Sequence, residues 1–185
     1  ADAIVVVAAG NKNQPADKYS PANCNGVVTV GATGRAGQRA SYSNHGPLVE
    51  VSAPGGSDSK FVLSTANNGV TSPDTGIYTY IGYQGTSMAT PHVAGIAALM
   101  LSVNPTLTPS EVSSKIQTTA RVFPMGTVRD CTTALCGAGI IDARALVDAA
   151  GGSTNAPPVA SFTFTTSGLS ASFTDGSTDS NGTIA

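Results

Sequence analysis

Gly85-Thr-Ser-Met-Ala-Thr-Pro-His-Val-Ala-Gly-Ile-Ala-Ala-Leu-Met-Leu101 is the stretch from which the rest of this chain can be read. From Val93 to Leu101 almost every side chain is apolar, which predicts a helix with no wet face, buried on all sides as a domain's central helix would be. Pro91 fits the first turn of such a helix, where a missing N–H costs nothing. Ser87 then lies by the helix N-terminus, where unpaired N–H groups and the positive end of the macrodipole favour negative charge. A serine so placed is a nucleophile candidate or a plain cap. Gly85 allows a close backbone approach, and Gly95 allows a neighbouring element to pack tightly.

The eleven residues Gly85-Thr-Ser-Met-Ala-Thr-Pro-His-Val-Ala-Gly95 resemble, residue for residue, the nucleophile segment of the subtilisin-like serine proteases, the subtilases. The resemblance implies that Ser87 is the acylated serine of an endopeptidase with an Asp/His/Ser triad. An α/β-hydrolase fits less well, because its nucleophile elbow wants glycine two places after the serine and Ala89 stands there. No His/Glu pair has the spacing of a metallohydrolase.

Upstream, Ala3-Ile-Val-Val-Val-Ala-Ala9 is a continuous apolar run ending at Gly10-Asn11. Such a run fits a central strand of a parallel sheet covered on both faces, and ligands dock at the carboxyl ends of such strands. Val-Val-Val-Ala-Ala-Gly-Asn11 resembles the subtilase segment that carries the oxyanion-hole asparagine. Asn11 is therefore expected to donate to the oxyanion together with the Ser87 backbone N–H. The resemblance also puts the Ala9-Gly10 backbone at the floor of the pocket for the side chain preceding the scissile bond, and small residues there favour large apolar side chains. Tyr19-Ser-Pro-Ala22 would help to wall that pocket.

Val27-Val-Thr-Val-Gly-Ala32 is a second strand candidate, and Ser41-Tyr-Ser-Asn-His-Gly-Pro47 and Val49-Glu-Val-Ser-Ala-Pro-Gly55 read as loop, strand and turn. Residues 56 to 84 are rich in Gly, Ser, Thr and Asn, with a short strand at Phe61-Val-Leu63 and Tyr78, Tyr80 and Tyr83 on a ribbon leading to the nucleophile. Downstream, Thr108-Pro-Ser-Glu111 is a capping box with proline at the first helical position, and Val112 and Ile116 share the inner face of the helix that follows. A last helix is capped by Asp142 and stopped at Gly151-Gly152.

A serine needs a base, usually a histidine held by a carboxylate. The chain has two histidines. His92 lies five residues past Ser87, about 7.5 Å along the helix axis and turned roughly 140° away, and is expected to pack the helix. His45 sits in Ser-Asn-His-Gly-Pro, without the helix expected of a subtilase base. Asp74-Thr-Gly-Ile77 looks like the family's aspartate motif but follows a turn-like Gly-Val-Thr-Ser-Pro. The expectation is a chain that starts partway through a protease domain, lacks the triad Asp and His, is inactive alone and leaves its sheet with an open edge prone to aggregation.

Charged residues make up only 11 % of the 185, with net charge −2, against ~25 % in ordinary globular chains, so nothing points to nucleic acid. No run of 18 apolar residues predicts a membrane span. Cys131 and Cys136 bracket a turn and are expected to form a disulfide, leaving Cys24 free or paired outside the segment. Secretion, protein or peptide substrates, a monomer and no cofactor for catalysis follow from the resemblance. Structural calcium is frequent in the family, but no metal ligands can be assigned here; Asp175, Asp179 and Asn181 read as a turn.

Composition shifts at Gly151-Gly-Ser-Thr-Asn-Ala-Pro-Pro158, a linker signature over 151–157. Beyond it, Val159-Ala-Ser-Phe-Thr-Phe and Leu169-Ser-Ala-Ser-Phe-Thr alternate apolar and polar residues as half-buried strands do. With Phe173-Thr-Asp-Gly-Ser-Thr-Asp they resemble the opening of a PKD-type immunoglobulin-like domain, cut short at 158–185. The expected fold is thus α/β: an incomplete subtilisin-like three-layer fold with a mostly parallel sheet over 1–150, then the first strands of a β-sandwich. The competing functional reading is a non-catalytic pseudoprotease whose PKD-type module attaches it to a surface.

Overall fold

The computed structural model describes residues 3–76, 78–151, 159–168 and 170–178. The chain divides into two compact units, Ala1–Gly151 and Gly152–Ala185.

In the first unit, β1 (Val5–Ala8), β2 (Val27–Thr33) and β3 (Val51–Pro54) form a parallel sheet in that order, with Val5 opposite Val27 and Val30 opposite Val51. β2 is the strand covered on both faces: every residue from Val28 to Thr33 is buried. β1 is not central, as its unbroken apolar run predicts, but an edge strand with Val5 48 % exposed. Apolar runs report how much cover a strand wants. Only β2 pairs with β1 among the described residues, so its outer edge and part of its faces stay open.

An antiparallel ribbon, β4 (Val62–Asn67) and β5 (Tyr78–Tyr83), precedes helix α1 (Thr86–Val103). α1 packs against all three strands of the parallel sheet. It begins at Thr86, so Pro91 lies inside the helix rather than in its first turn. The missing N–H there withholds the helical bond from the Ser87 carbonyl. Nor is α1 buried all round. Ala89, Val93, Ala97 and Met100 face the core, while Ala94, Gly95, Ala98 and Leu99 are exposed, and no atom lies within 4 Å of where a Gly95 side chain would start. By length and composition α1 could cross a membrane, with a mean hydropathy of 1.3. Its packing is that of a core helix with one covered face.

α2 (Pro109–Thr118) opens with the expected capping box: Thr108 Oγ1 accepts from Glu111 N and the Glu111 carboxylate accepts from Thr108 N. Val112 and Ile116 are fully buried. α3 (Thr133–Cys136) is a single turn, and Cys131 and Cys136 are joined by a disulfide with Cα atoms 5.6 Å apart. Cys24 is exposed and unpaired. α4 (Ala143–Ala149) is capped by Asp142, whose carboxylate accepts from Ala145 N. Val30, Val51, Val93, Met100, Ile116 and Leu146 meet in one core between sheet and helices.

In the second unit β6 (Phe162–Ser167) and β7 (Ser170–Asp175) pair as a hairpin with every described side chain exposed. Two strands are too few to bury the alternating face that the sequence predicts. The linker expected at 151–157 falls, after Gly151, outside the described residues, as do Asp179 and Asn181.

Candidate active site

The end of β1 meets the start of α1. Gly10 N donates to Thr86 Oγ1 at 3.2 Å, while Thr86 N and Thr86 Oγ1 both donate to Asn11 Oδ1, at 2.9 and 2.8 Å. A backbone N–H can only donate, so this contact fixes which end of the Asn11 amide is oxygen. Asn11 Nδ2 is left pointing along the Gly85–Ser87 backbone, 3.3 Å from where a Gly85 Cβ would sit. Glycine at 85 keeps that approach open.

Ser87 is the second residue of α1 and is exposed. Met88 N and Ala89 N turn back to the Gly85 carbonyl, at 2.9 and 3.3 Å. Neither Ser87 N nor Asn11 Nδ2 has a partner among the described residues. Two N–H donors from elements far apart in sequence thus converge on one point, 3.3 and 3.6 Å from where a Gly85 Cβ would sit, at the positive end of an 18-residue helix with no acidic residue in its first turn.

Two further side chains hold this junction, and sequence reasoning gives them no role. Asn44 is fully buried; its Oδ1 accepts from Lys12 N (2.9 Å) and Gln14 N (3.1 Å), and its Nδ2 donates to the Ala9 carbonyl (2.8 Å). The loop carrying Asn11 is therefore tied down on both sides of that residue. Gly10 has φ +104° and a Cβ there would collide with the Asn44 amide, so glycine is required. Tyr42 places its hydroxyl 2.7 Å from the Gly55 carbonyl and 2.6 Å from that of Gly56, and the Gly55 carbonyl in turn accepts Gly85 N at 2.9 Å. Burial pushes the Tyr42 hydroxyl up to about 12, with the Gly85 backbone pulling the other way. Asn44 and Tyr42 both lie in Ser41-Tyr-Ser-Asn-His-Gly, a stretch that local pattern reads only as loop.

The remaining candidates fall as follows. Ala9 is wholly buried with Ala16, Ala22 and Val49, its carbonyl taken by Asn44, and Gly10 follows it partly buried. His92 is exposed rather than packed into the core; its Nδ1 donates to the Met88 carbonyl at 2.8 Å, a contact of one helical turn. His45 is built into the loop at 14–16 through backbone bonds to Gln14 and Ala16, and burial together with the Arg39 guanidinium lowers its pKa. No hydrogen bond joins either histidine to Ser87 among the described residues. Asp74 sits in the exposed turn of the β4–β5 ribbon, its backbone N–H bound to Asn67 and its carboxylate accepting from Gly76 N. Among the described residues, no three His, Cys, Asp or Glu side chains gather as metal ligands would.

The Subtilase family profile matches residues 1–174. The chain belongs to the subtilase family. It is 50 % identical over 147 residues to an "Extracellular protease" of Xanthomonas campestris, covering 79 % of this chain and 23 % of that protein. To an "Extracellular basic protease" of Dichelobacter nodosus it is 42 % identical over 165 residues, covering 85 % and 26 %. A solved protease of Pseudoalteromonas arctica superposes with a TM-score of 0.71 at 47 % identity, covering 80 % of this chain and 43 % of that one. The subtilase segment thus spans about a quarter of the length of these curated relatives and under half of the solved chain.

Proposed function

We propose that this chain carries the nucleophile and oxyanion-binding part of a secreted serine endopeptidase. The observation that supports it is the pair of unpartnered donors, Asn11 Nδ2 and the N–H of exposed Ser87, held by the Thr86–Asn11 bonds within 3.3 and 3.6 Å of one point, the place of a Gly85 Cβ. Ser87 Oγ bonds to the scissile carbonyl carbon, the carbonyl π electrons move onto oxygen, and the resulting oxyanion takes both N–H groups. The serine proton passes to a histidine base. Neither His45 nor His92 is positioned to receive it, so the base and its carboxylate come from a segment outside these residues, and the chain alone hydrolyses peptides at no more than trace rate. The Ala9-Gly10 backbone forms the pocket floor. Extracellular action is proposed from the names of the relatives.

A fluorophosphonate probe applied to the full-length protein should leave its adduct on Ser87, and Ser87→Ala should abolish both labelling and proteolysis. Asn11→Ala should lower kcat by ~10²–10³ with KM little changed; that magnitude is the reference value for removing this donor in a subtilisin, not one obtained from this chain. An intact, unblocked protein whose Ser87 stays unlabelled would overturn the reading in favour of a binding or attachment protein. We also read β6–β7 as the opening of a PKD-type module. The sequence around Phe173 supports this, while the reach of the subtilase match to Thr174 pulls against it.

A further inference from the structure

A cavity of about 540 Å³ opens at the carboxyl ends of β2 and β3, beyond Thr33 and Pro54. Ligands dock at this end of an open α/β sheet. Its lining includes Arg35, Lys60 and Arg121, set among the apolar surfaces of Pro54, Phe61 and Ile140. No carboxylate lines it. Asp58, next in sequence to Ser59 of the lining, is committed elsewhere: its Oδ2 accepts from Arg129 at 2.7 Å, from Ser57 Oγ at 2.9 Å and from Gln38 Nε2 at 3.2 Å. The Arg35, Lys60 and Arg121 side chains have no hydrogen-bond or ion-pair partner among the described residues.

Three of the nine cations in a chain of net charge −2 are thus gathered uncompensated around one cavity. Like charges brought together repel, so such a cluster favours an anion in its midst. The cavity's volume suits a short ligand segment. It is also joined to the nucleophile. Gly56 in its wall follows Gly55, whose carbonyl holds Gly85 N, and Val62 lines both this cavity and a smaller one of about 320 Å³ formed with Met88, Pro91 and His92.

We infer that this cavity is a binding site for an acidic peptide segment of a substrate, taking two or more carboxylates on Arg35, Lys60 and Arg121 with an apolar side chain between them on Phe61 and Ile140. A lining that mixes cationic and apolar groups favours a peptide over a uniformly charged polymer. The link to turnover rests on Ser87 being the nucleophile; the binding itself does not.

The test uses full-length protein carrying Ser87→Ala, so that nothing is cut, and acetyl-Glu-Phe-Glu-amide as probe in titration calorimetry. The expected result is saturable binding at least tenfold tighter than that of acetyl-Gln-Phe-Gln-amide. Each of Arg35→Glu, Lys60→Glu and Arg121→Glu should weaken it about fivefold, added salt should weaken it further, and Arg144→Gln on α4 should leave it alone. Equal binding of the two peptides, no binding by protein whose circular dichroism is unchanged, or binding only of a heparin disaccharide would each overturn the proposal. In protein with Ser87 intact, glutamates placed three to eight residues from the scissile bond should lower KM, and the three reversals should remove that gain without changing kcat on a neutral peptide. Absence of a fluorophosphonate adduct with peptide binding retained would sink the protease reading alone; an adduct without peptide binding would sink this one alone.

Discussion

The two hairpins and the parallel sheet obey the same strand chemistry and end in opposite environments. β2, flanked by strands on both edges and covered by α1, hides every residue from Val28 to Thr33. β6–β7, with equally regular pairing, leaves Phe162, Phe164 and Phe173 about two-thirds exposed, their rings 6.0 and 6.1 Å apart. Pairing satisfies backbone polar groups in both places. Burial, which stabilises far more, requires a second layer, and among the described residues only the first unit has one.

The sharpest way to break this contrast is a set of truncations in a Ser87→Ala background, which removes the proposed nucleophile. Met100→Ala, deleting a fully buried side chain beneath α1, should cost about 2–5 kcal/mol in denaturant unfolding. Asn44→Ala comes next. It strips three bonds from a buried loop and should cost about 1–3 kcal/mol, and, on the role proposed for Asn11, it should lower kcat of the full-length protein with Ser87 intact.

Tyr42→Phe should cost about 1 kcal/mol at neutral pH. The free phenol titrates near 10 and the folded one near 12, so the neutral hydroxyl contributes fully below pH 10 and that contribution is lost as pH rises through 12. The stability gap between the native residue and Tyr42→Phe should therefore close between pH 10 and 12. A gap constant across that range would remove the hydroxyl from the account. Phe173→Ala should be smallest, within about 0.5 kcal/mol of no effect on the first unit's unfolding, visible mainly as faster amide exchange along β6–β7.

Much of the fold is legible in local pattern. The apolar run of α1, the Thr108–Glu111 capping box, the β-branched cores of β1 and β2 and the Asp142 cap each need only a few neighbouring residues to be recognised. What escapes is whatever depends on the other side of a contact. Composition makes α1 apolar all round, yet only the face of Ala89, Val93, Ala97 and Met100 finds a partner; the run at Val5–Ala8 asks for two flanking strands and receives one. The same limit explains the site. Ser87 and Asn11 stand out through short motifs, whereas Asn44 reaches back 35 residues to Ala9 and Tyr42 grips carbonyls 13 and 14 residues on. Ordinary polar residues in loops carry no mark of such reach.

The Thr86–Asn11 bond also sets an order of events. Its two ends lie 75 residues apart, and loop closure of that length is among the later steps of a folding chain. Strand and helix can each be complete while the pair of N–H donors does not yet exist. As the chain is synthesised, the two donors come together near Ser87 only when the sheet and helix have met, so this junction is a product of the finished fold and of neither element alone.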